Sequence, residues 1–324
     1  MKQQSSLSIM HILEYARLAP SVHNAQPWKF IIHESSVSLI AEPKRMLDEG
    51  DPTGRESWIS FGICLEAILQ AAKGLGMSAT ITHQQTTSFD GVIATVMIGN
   101  EATKKNPTIL NALRERYTYR EKMAPATISA ALVRRCQASV KDLPGVDAHV
   151  MQDKDSIRDT GALTKKAMSL ALGDPGFRNE LFHFIHYNWS SSRTGLHGYA
   201  MGEGWLGSIF AKWSVKLGVG LPLKARHDQQ RIVDASALIF VATTGDVPSF
   251  WFKAGRGYLR VALEVAASGL VQGTLAAPVE AASFHEDIEK MLGTNKRIQT
   301  MIRVGNPTHV PKRKSPRLEL ADLT

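Results

Sequence analysis

The feature of this sequence that most limits its possible folds is a helical pattern that occurs twice, in residues 61–77 and again 195 positions later in residues 256–272. Small residues fall at matching positions, namely Gly62, Ala67, Ala71, Ala72 and Gly74 in the first copy and Gly257, Ala262, Ala266, Ala267 and Gly269 in the second. Small side chains at helical spacing let backbones approach closely, so the pattern predicts two central packed helices. A strand ending in Ile98-Gly99-Asn100 also recurs as Val304-Gly305-Asn306. Two related halves are therefore predicted, although short Ala-rich helices also match one another by chance.

Length and composition predict a globular protein with a large core. The chain has 324 residues, of which 44% are hydrophobic and 21% charged, enough for one large domain or two ordinary ones. The longest apolar runs are strand-sized, as in residues 235–242, and Glu14 interrupts the first twenty residues. Neither a membrane-spanning helix nor a secretory signal is predicted. Cys64 and Cys136 have no nearby second ligand, so we expect buried thiols and a cytoplasmic location.

The charge balance favours a small anionic ligand over nucleic acid. Lysine and arginine number 38 against 30 acidic residues, a net charge of +8, yet only residues 312–314 form a basic run. No basic motif with interleaved aromatic residues accompanies that run. Gly255 and Gly257 lack the third glycine of a dinucleotide site, and His183 and His186 lack a third metal ligand at a recognisable spacing. We therefore expect no nucleic-acid, membrane or metal partner.

Periodicity and turn residues predict an α+β fold with helices packed over a mixed sheet. In the first half, the predicted helices are 8–18 and 55–75, and the predicted strands are 28–33, 37–41, 77–83 and 92–98. In the second half, the predicted helices are 107–116, 128–140, 154–172, 176–188, 250–268 and 285–292, and the predicted strands are 146–151, 236–243 and 298–304. A long irregular segment is expected between the helix 176–188 and about residue 230. The polar stretch 101–105 is the predicted junction of two half-domains, residues 1–105 and 106–324.

The loop from Ala19 to Trp28, with the sequence APSVHNAQPW, contains the first group of candidate site residues. Pro20 is predicted to end the preceding helix, and Pro27 presets an extended entry into the next strand. Short polar side chains lie between the two prolines, suited to recognising the edge of a planar heterocycle: Ser21, His23, Asn24 and Gln26. An ordinary helix-to-strand loop with Asn and Ser turn chemistry is the alternative.

A second group is the arginine segment Arg116-Tyr117-Thr118-Tyr119-Arg120. Guanidinium forks match phosphate and carbonyl oxygens bidentately. If the helix continues through this segment, Arg116 and Arg120 share one face, and a bound anion would relieve their repulsion. The alternative is a solvated, charged helix end. In the C-terminal tail, Lys314 and Arg317 follow Gly305-Asn306-Pro307; a disordered basic tail is the alternative there.

Together, these motifs resemble the flavin site of the nitroreductase family. The resemblance implies FMN, with the Pro20–Gln26 loop beside the ring and ribityl chain and the Arg116–Arg120 segment on the phosphate and pyrimidine edge. It also implies that Lys314 and Arg317 return to the phosphate. The segment 273–280, which includes Pro278 and Glu280, would present backbone groups to the ring, or would be an ordinary loop between helices.

The division of these parts between the halves resembles the two-domain, Acg-like branch of that family. Classical members are homodimers with two flavins at the shared interface. Here the first half has the loop but no arginine in residues 1–8, whereas the second half has the arginine segment and reads Leu-Pro-Gly-Val-Asp-Ala at 143–148. The resemblance thus implies a gene duplication, a pseudo-dimer within one chain that needs no second subunit, and one FMN.

The implied activity is an FMN-dependent oxidoreductase. Hydride from NAD(P)H would pass through the flavin to an electron-poor acceptor such as a nitroaromatic or quinone. Arg120 would stabilise the reduced flavin, Thr118 belongs to the same cradle, and no catalytic acid is identified. The aromatic-rich insertion at about 174–231 predicts a lid, with a membrane or partner surface at residues 205–210 as the alternative. An occluding lid would instead make the protein a flavin-sequestering one.

Overall fold

The first half of the protein is built on one antiparallel sheet and one long helix. The computed structural model describes residues 2–102, 104–310 and 313–324, so Thr103 of the predicted junction and Lys312 of the basic run lie outside it. The elements of the first half are α1 (Lys2–Ala16), β1 (Trp28–Ile32), β2 (Ser36–Ala41), α2 (Arg55–Leu75), β3 (Met77–Gln84) and β4 (Val92–Ala102). Helix α2 has the predicted bounds, and Gly76 ends it in the left-handed conformation.

The second half has more helices and a second sheet. Asn106 caps its first helix by accepting a hydrogen bond from the N–H of Ile109. The elements are α3 (Pro107–Glu115), β5 (Met123–Ala124), α4 (Ala130–Ala138), β6 (Val146–Met151), α5 (Lys154–Gly173), α6 (Pro175–Phe184), β7 (Ile185–His186), β8 (Leu196–His197), α7 (Trp205–Leu217), α8 (Leu221–Val233), β9 (Ala237–Thr243), α9 (Pro248–Ala267), β10 (Val271–Thr274), α10 (Ala277–Glu280), α11 (Phe284–Leu292) and β11 (Arg297–Pro307).

The two sheets have the same strand order. In the first sheet the order is β1-β2-β4-β3, and in the second it is β6-β9-β11-β10, with the short β5 paired to β11. Neighbouring strands are antiparallel in both. Helix α2 connects the second and third strands of the first sheet, and α9 does the same in the second. The halves therefore share a β-β-α-β-β topology, which supports the predicted relationship between them.

Helices α2 and α9 cross at two glycines. A Cβ atom on Gly62 would lie 1.9 Å from the backbone oxygen of Phe252, and one on Gly255 would lie 2.0 Å from that of Ile59. Both reciprocal pairs, Gly62 with Gly255 and Ile59 with Phe252, are 193 positions apart. The residues that correspond in space are therefore shifted by two positions from those matched in sequence, where Gly62 matches Gly257. A Cβ atom on Gly257 would face Val146 and Val241 of the second sheet.

One large apolar core joins the two halves. It includes Trp28 and Phe30 of β1, Phe61 of α2, and Phe252 and Leu259 of α9. By length and composition alone, helix α2 could span a bilayer, but 78% of the apolar stretch that gives it this property is buried inside the protein. Its burial against α9 explains this composition, because a helix packed on all sides carries apolar residues around its circumference.

Residues 189–230, expected to be irregular, contain α7 and most of α8, so that expectation was wrong. The insertion 174–231 also contains α6, where a helix was predicted over 176–188. A small separate cluster of buried side chains holds it together, among them Leu181, Ile185 and Val215. Residues 273 and 274, expected in a loop, belong to β10 because they pair with β11.

Candidate functional site

The structure brings the loop, the arginine segment and the tail together around one cavity. The residues that line it are Leu18, Pro20, Ser21, Asn24, Arg114, Arg116, Tyr117, Thr118, Arg120, Lys314, Ser315 and Arg317. Eight of the eleven residues predicted for cofactor binding are in this set; Gln26, Pro278 and Glu280 are not. Residues separated by up to about 300 positions in the chain therefore form one concave surface.

The loop holds a strained backbone. His23, Asn24 and Gln26 have positive φ angles of 46°, 57° and 53°, a conformation that costs non-glycine residues of order 1–3 kcal/mol each. Local hydrogen bonds hold it, since Ser21 Oγ accepts from the Gln26 N–H at 2.8 Å and the Ser21 carbonyl accepts from the Asn24 N–H at 3.1 Å. Strain clustered in one loop at a cavity is typical of a functional site.

Asn24 and Gln26 anchor other segments to this loop. The Asn24 amide donates to the carbonyl oxygens of Gly195 and Pro316, and its Oδ1 accepts from Arg317 at 2.5 Å. Gln26 is fully buried; its amide donates to the Arg193 carbonyl, and its Oε1 accepts from the Leu318 N–H. The polar groups of both side chains are thus engaged within the protein, where the resemblance implied ligand contacts.

The arginine segment is extended rather than helical. Helix α3 ends at Glu115, and Arg116 already has extended angles of −57° and 126°, so the shared helix face does not form. Thr118 bridges to Gln272 of β10, whose carbonyl accepts from the Tyr119 N–H at 2.8 Å. Pairing with β10 therefore fixes the segment, and Arg116, Thr118 and Arg120 are all among the residues that line the cavity.

The cavity is strongly cationic. Arg114, Arg116, Arg120, Lys314 and Arg317 line it, and no carboxylate is among its lining residues in the described part of the chain. Burial lowers the pKa of Arg120 to about 10, helped by the positive charge of Arg231. Burial also lowers the pKa of Arg317 to about 9, with Arg116 and Arg120 adding to the shift. Buried like charges destabilise one another, so an anion in this cavity would be strongly favoured.

Two guanidinium nitrogens in the cluster have no partner within the described residues. They are Nη1 of Arg116 and Nε of Arg317, both buried. Arg116 is 5% exposed, and its Nη2 donates to the Leu18 carbonyl at 3.2 Å. A buried donor without an acceptor costs about 1–3 kcal/mol, and more when it is charged. These orphaned donors are therefore suited to oxygen atoms of a bound anion.

The tail supplies the remaining wall. Lys314 Nζ donates to the carbonyls of Arg114 and Glu115 at the end of α3, and lies 3.1 Å from the Glu115 carboxylate. Lys314 therefore caps α3, where cations are favoured by the helix dipole. Arg317 reaches the loop through Asn24, which joins the tail to the cavity.

Pro278 and Glu280 lie outside the cavity lining. Both belong to the short helix α10, where Pro278 is buried. Glu280 Oε1 lies 3.4 Å from Arg55 Nη1 at the start of α2. Arg55 also donates a hydrogen bond to Gln299, and these contacts fix the position of α10. The assignment of these two residues came from the resemblance alone, and chain spacing gave no independent position for them.

Sequence reasoning did not find Tyr258 and Gln272. Tyr258 of α9 donates to Gln272 Oε1 at 3.0 Å, and the Nε2 of Gln272 is buried without a partner. Tyr258 lies close enough to Arg116, Arg120 and Arg317 to influence the pKa of each. A lone glutamine in the Val271–Thr274 stretch was the available signal for Gln272.

The insertion packs directly on the loop. The Gly195 N–H donates to the Asn24 carbonyl at 3.2 Å, and the ring of His23 lies 5.6 Å from that of Phe184. Tyr199 lines a smaller cavity that shares Arg120 and Lys314 with the main one. The insertion thus borders the site on one side, as a cover would.

The chain is similar in sequence, over most of its length, to two named proteins of Mycobacterium tuberculosis. It is 24% identical over 98% of its length to “Putative NAD(P)H nitroreductase Rv3131” of Mycobacterium tuberculosis, covering 90% of that protein. It is also 24% identical over 92% of its length to “Putative NAD(P)H nitroreductase acg” of the same organism, covering 88% of it. The chain is a relative of the Acg-like nitroreductases. This confirms the resemblance drawn from its motifs, together with the α+β, nitroreductase-like fold class. No protein-family model matches the chain.

Similar solved structures are more distant. The FMN-dependent nitroreductase NfnB from Mycobacterium smegmatis, in complex with NADPH, is 14% identical, and the match covers 67% of this chain and 96% of that one at a TM-score of 0.43. The FMN and NADPH-dependent nitroreductase NfnB of sphigopyxis sp. strain HMH is 16% identical, covering 66% and 96% at a TM-score of 0.42. Both matches span less of this chain than the sequence relatives do.

Proposed function

We propose that this protein is an FMN-dependent oxidoreductase of the Acg-like nitroreductase type, using NAD(P)H as hydride donor and an electron-poor nitroaromatic or quinone as acceptor. The observation that carries the proposal is the buried cationic cavity with orphaned guanidinium donors. The relatives over nearly the whole chain are named NAD(P)H nitroreductases, which supports NAD(P)H as the hydride donor.

The residues present fit FMN. A phosphate offers three acceptor oxygens and close to two negative charges, which match the unpartnered Arg116 Nη1 and Arg317 Nε. Pro20 and Ser21 would lie beside the ring, and Arg120 near its pyrimidine edge. Bound flavin would supply the hydride and electron chemistry. The protein's part is to hold and orient the cofactor, and Arg120 would stabilise negative charge that develops on it.

The wider organisation belongs to the same proposal. The halves 1–105 and 106–324 would be products of a gene duplication, supported by their common strand order. One flavin would bind per chain, in the cytoplasm, with no second subunit needed to complete the site. The loop would come from the first half, and the arginine segment and tail from the second, a division that the residues lining the cavity support.

A second candidate is a flavin-sequestering protein with little turnover. The insertion favours it, because Gly195 and Arg193 are hydrogen-bonded to the loop residues Asn24 and Gln26. Tyr199 further narrows the space next to Arg120. If this cover does not open, the cradle would bind FMN while excluding NAD(P)H.

The deciding experiment is the visible spectrum of the purified full chain, followed by NADPH and NADH oxidation with a nitroaromatic or a quinone. Bound FMN with acceptor-dependent oxidation supports the oxidoreductase. Bound FMN that neither nicotinamide reduces supports sequestration. Failure to bind at saturating FMN removes both candidates.

A further inference from the structure

Helix α7 carries an apolar stripe on its outer face. Leu206, Phe210, Trp213 and Leu217 are 71%, 71%, 45% and 68% exposed. At about 100° per residue these four positions share one side of the helix. Ser208 and Val215, on the opposite side, are buried. The helix therefore turns its largest apolar side chains to solvent, the reverse of a helix that covers a core.

Aromatic residues extend this stripe into a continuous patch. Trp189 and Trp205 are 51% and 61% exposed, with ring centroids 4.7 Å apart. Tyr187 stacks on Trp189 and accepts a hydrogen bond from Trp213 Nε1 at 3.1 Å. Three of the six tryptophans of the chain thus lie in one exposed cluster. We call the stripe, together with Trp189 and Trp205, the α7 patch.

The surroundings of the α7 patch are basic. Residues 204–227 contain three lysines and one arginine, and no aspartate or glutamate, whereas Glu203 and the buried Asp228 lie at the two ends of this segment. Lys212 and Lys216 flank the stripe, with their ammonium groups 4.5 Å and 5.3 Å from the ring centroid of Phe182. Lys224 and Arg226 follow in α8. The patch therefore combines exposed apolar surface with a border of positive charge.

We propose that the α7 patch binds the surface of an anionic lipid bilayer, with α7 lying in the interface. An apolar helix face inserts at the headgroup boundary, tryptophans are enriched at that depth, and lysines attract anionic headgroups. This proposal departs from the sequence-based expectation of no membrane partner and takes up the alternative of a membrane surface at residues 205–210, because the exposed stripe favours it. A two-fold contact between copies is disfavoured, because it would bring two sets of cations together without any acid in 204–227.

The test is co-sedimentation of the full chain with vesicles of phosphatidylglycerol and phosphatidylcholine in equal parts, compared with phosphatidylcholine alone. The parent protein should bind the anionic vesicles, with a blue shift in tryptophan emission, and should bind less at high salt. The double variant Phe210→Ser/Leu217→Ser should lower the partition coefficient by about tenfold or more, since two large apolar side chains lose their membrane contact. Lys216→Glu/Arg226→Glu, which changes two exposed cations, should weaken binding to the anionic vesicles specifically.

The matched control is Leu170→Ser/Val247→Ser, two residues outside the patch that are 56% and 49% exposed. This variant should bind like the parent, and all variants should keep the parent's thermal melt. The proposal is overturned if the parent binds neither vesicle, or if the patch variant binds as well as the control. A parent dimer that Phe210→Ser/Leu217→Ser converts to a monomer would also overturn it, and would assign the patch to a second copy of the chain.

Discussion

At the scale of single residues, the site is a cluster of cations that the fold holds together at a cost. Arg116, Arg120 and Arg317 lie around one cavity, and burial lowers the pKa of each. Their mutual repulsion is unfavourable without a ligand, and the attraction of a bound anion would offset it. An arginine that only stabilised the fold would instead have its hydrogen-bond acceptors within the protein.

Replacing Arg116 or Arg120 with Ala should therefore weaken FMN binding while leaving the ligand-free protein at least as stable as the parent. A charge-assisted hydrogen bond contributes about 1.5–3 kcal/mol, or roughly tenfold or more in affinity. Fluorescence titration with FMN and a thermal melt measure the two effects. Arg158→Ala, which breaks an exposed ion pair with Asp155, is the control. Unchanged FMN affinity in both site variants would contradict the phosphate assignment.

His23 predicts a pH dependence of stability. Burial, with the charges of Arg120 and Lys224, lowers the pKa of His23 from 6.5 to about 4. Between these values the unfolded chain binds a proton that the folded protein does not, so stability present above pH 6.5 is lost as the pH falls towards 4. The free energy of unfolding should fall by about 3 kcal/mol in total over this pH range.

The variant His23→Asn should flatten part of this pH dependence, because asparagine does not titrate and tolerates the left-handed backbone. Urea unfolding across this pH range measures it, and exposed His11→Asn should keep the parent's slope. His186, whose pKa burial also lowers to about 4, should retain its share of the dependence in both variants. An equal slope in His23→Asn and the parent would show that His23 is not the group responsible.

At the scale of elements, the α2–α9 crossing sets the spacing of the two halves. Gly62→Ala would place a Cβ 1.9 Å from the Phe252 oxygen, and backbone cannot yield as a flexible side chain does. We expect a loss of about 1–3 kcal/mol in the free energy of unfolding, measured in urea. Gly173→Ala, at the end of α5 with nothing within 4 Å of its Cβ, should be neutral or stabilising by up to about 1 kcal/mol. Equal stability of the two variants would argue against the close crossing.

The elements also show what sequence patterns predict and what they miss. Helix α2 was predicted from residue 55 to 75 because its small residues, apolar faces and terminal Gly76 all agree. Helix α7 was missed because glycines flank it and its apolar stripe faces solvent, so the usual link between periodicity and burial does not hold. Strand β10 was missed because its pairing with β11 is a long-range contact.

For the site, the sequence identified residue types well and their partners poorly. The arginine segment and the loop were identified because their short motifs resemble those of a known family, whereas their residue types alone left a solvated helix end and an ordinary loop as alternatives. The hydrogen bonds of Gln26 to Arg193 and Leu318, by contrast, depend on how the insertion and tail fold back. No local sequence pattern indicates that these residues, which lie far apart in the chain, come together.

The insertion predicts a gate that can be tested apart from the two halves. Its buried side chains form their own cluster, so replacing residues 202–220 with a short linker should leave the main cooperative melt in place. If the insertion is a gate, flavin reduction by NADPH and quenching by iodide should both increase. A lost melt or insoluble protein would instead show a structural cover. An intact melt with unchanged reduction and quenching would remove the gate and leave a binding surface.

At the scale of the whole molecule, the two halves share a topology, but the segments before their first strands differ. The loop before β1 is polar, strained and open to the cavity. The equivalent segment before β6 buries Val140 and Leu143 in the main core, and Arg260 holds it through the Ser139 carbonyl and Asp142. A segment that contributes to the core is not free to border a ligand, so this part of the second pseudo-symmetric site has a structural role.

The purified protein should therefore bind one FMN per chain rather than two. Released flavin, measured by absorbance against protein concentration after saturation and desalting, gives the ratio. The double variant Arg116→Ala/Arg120→Ala should lower the ratio well below one, because the cationic cavity is the single site to which the flavin is assigned. If two flavins bind to the parent and one remains in the double variant, the second half retains a working site, and the asymmetry inferred from Leu143 and the arginine segment is wrong.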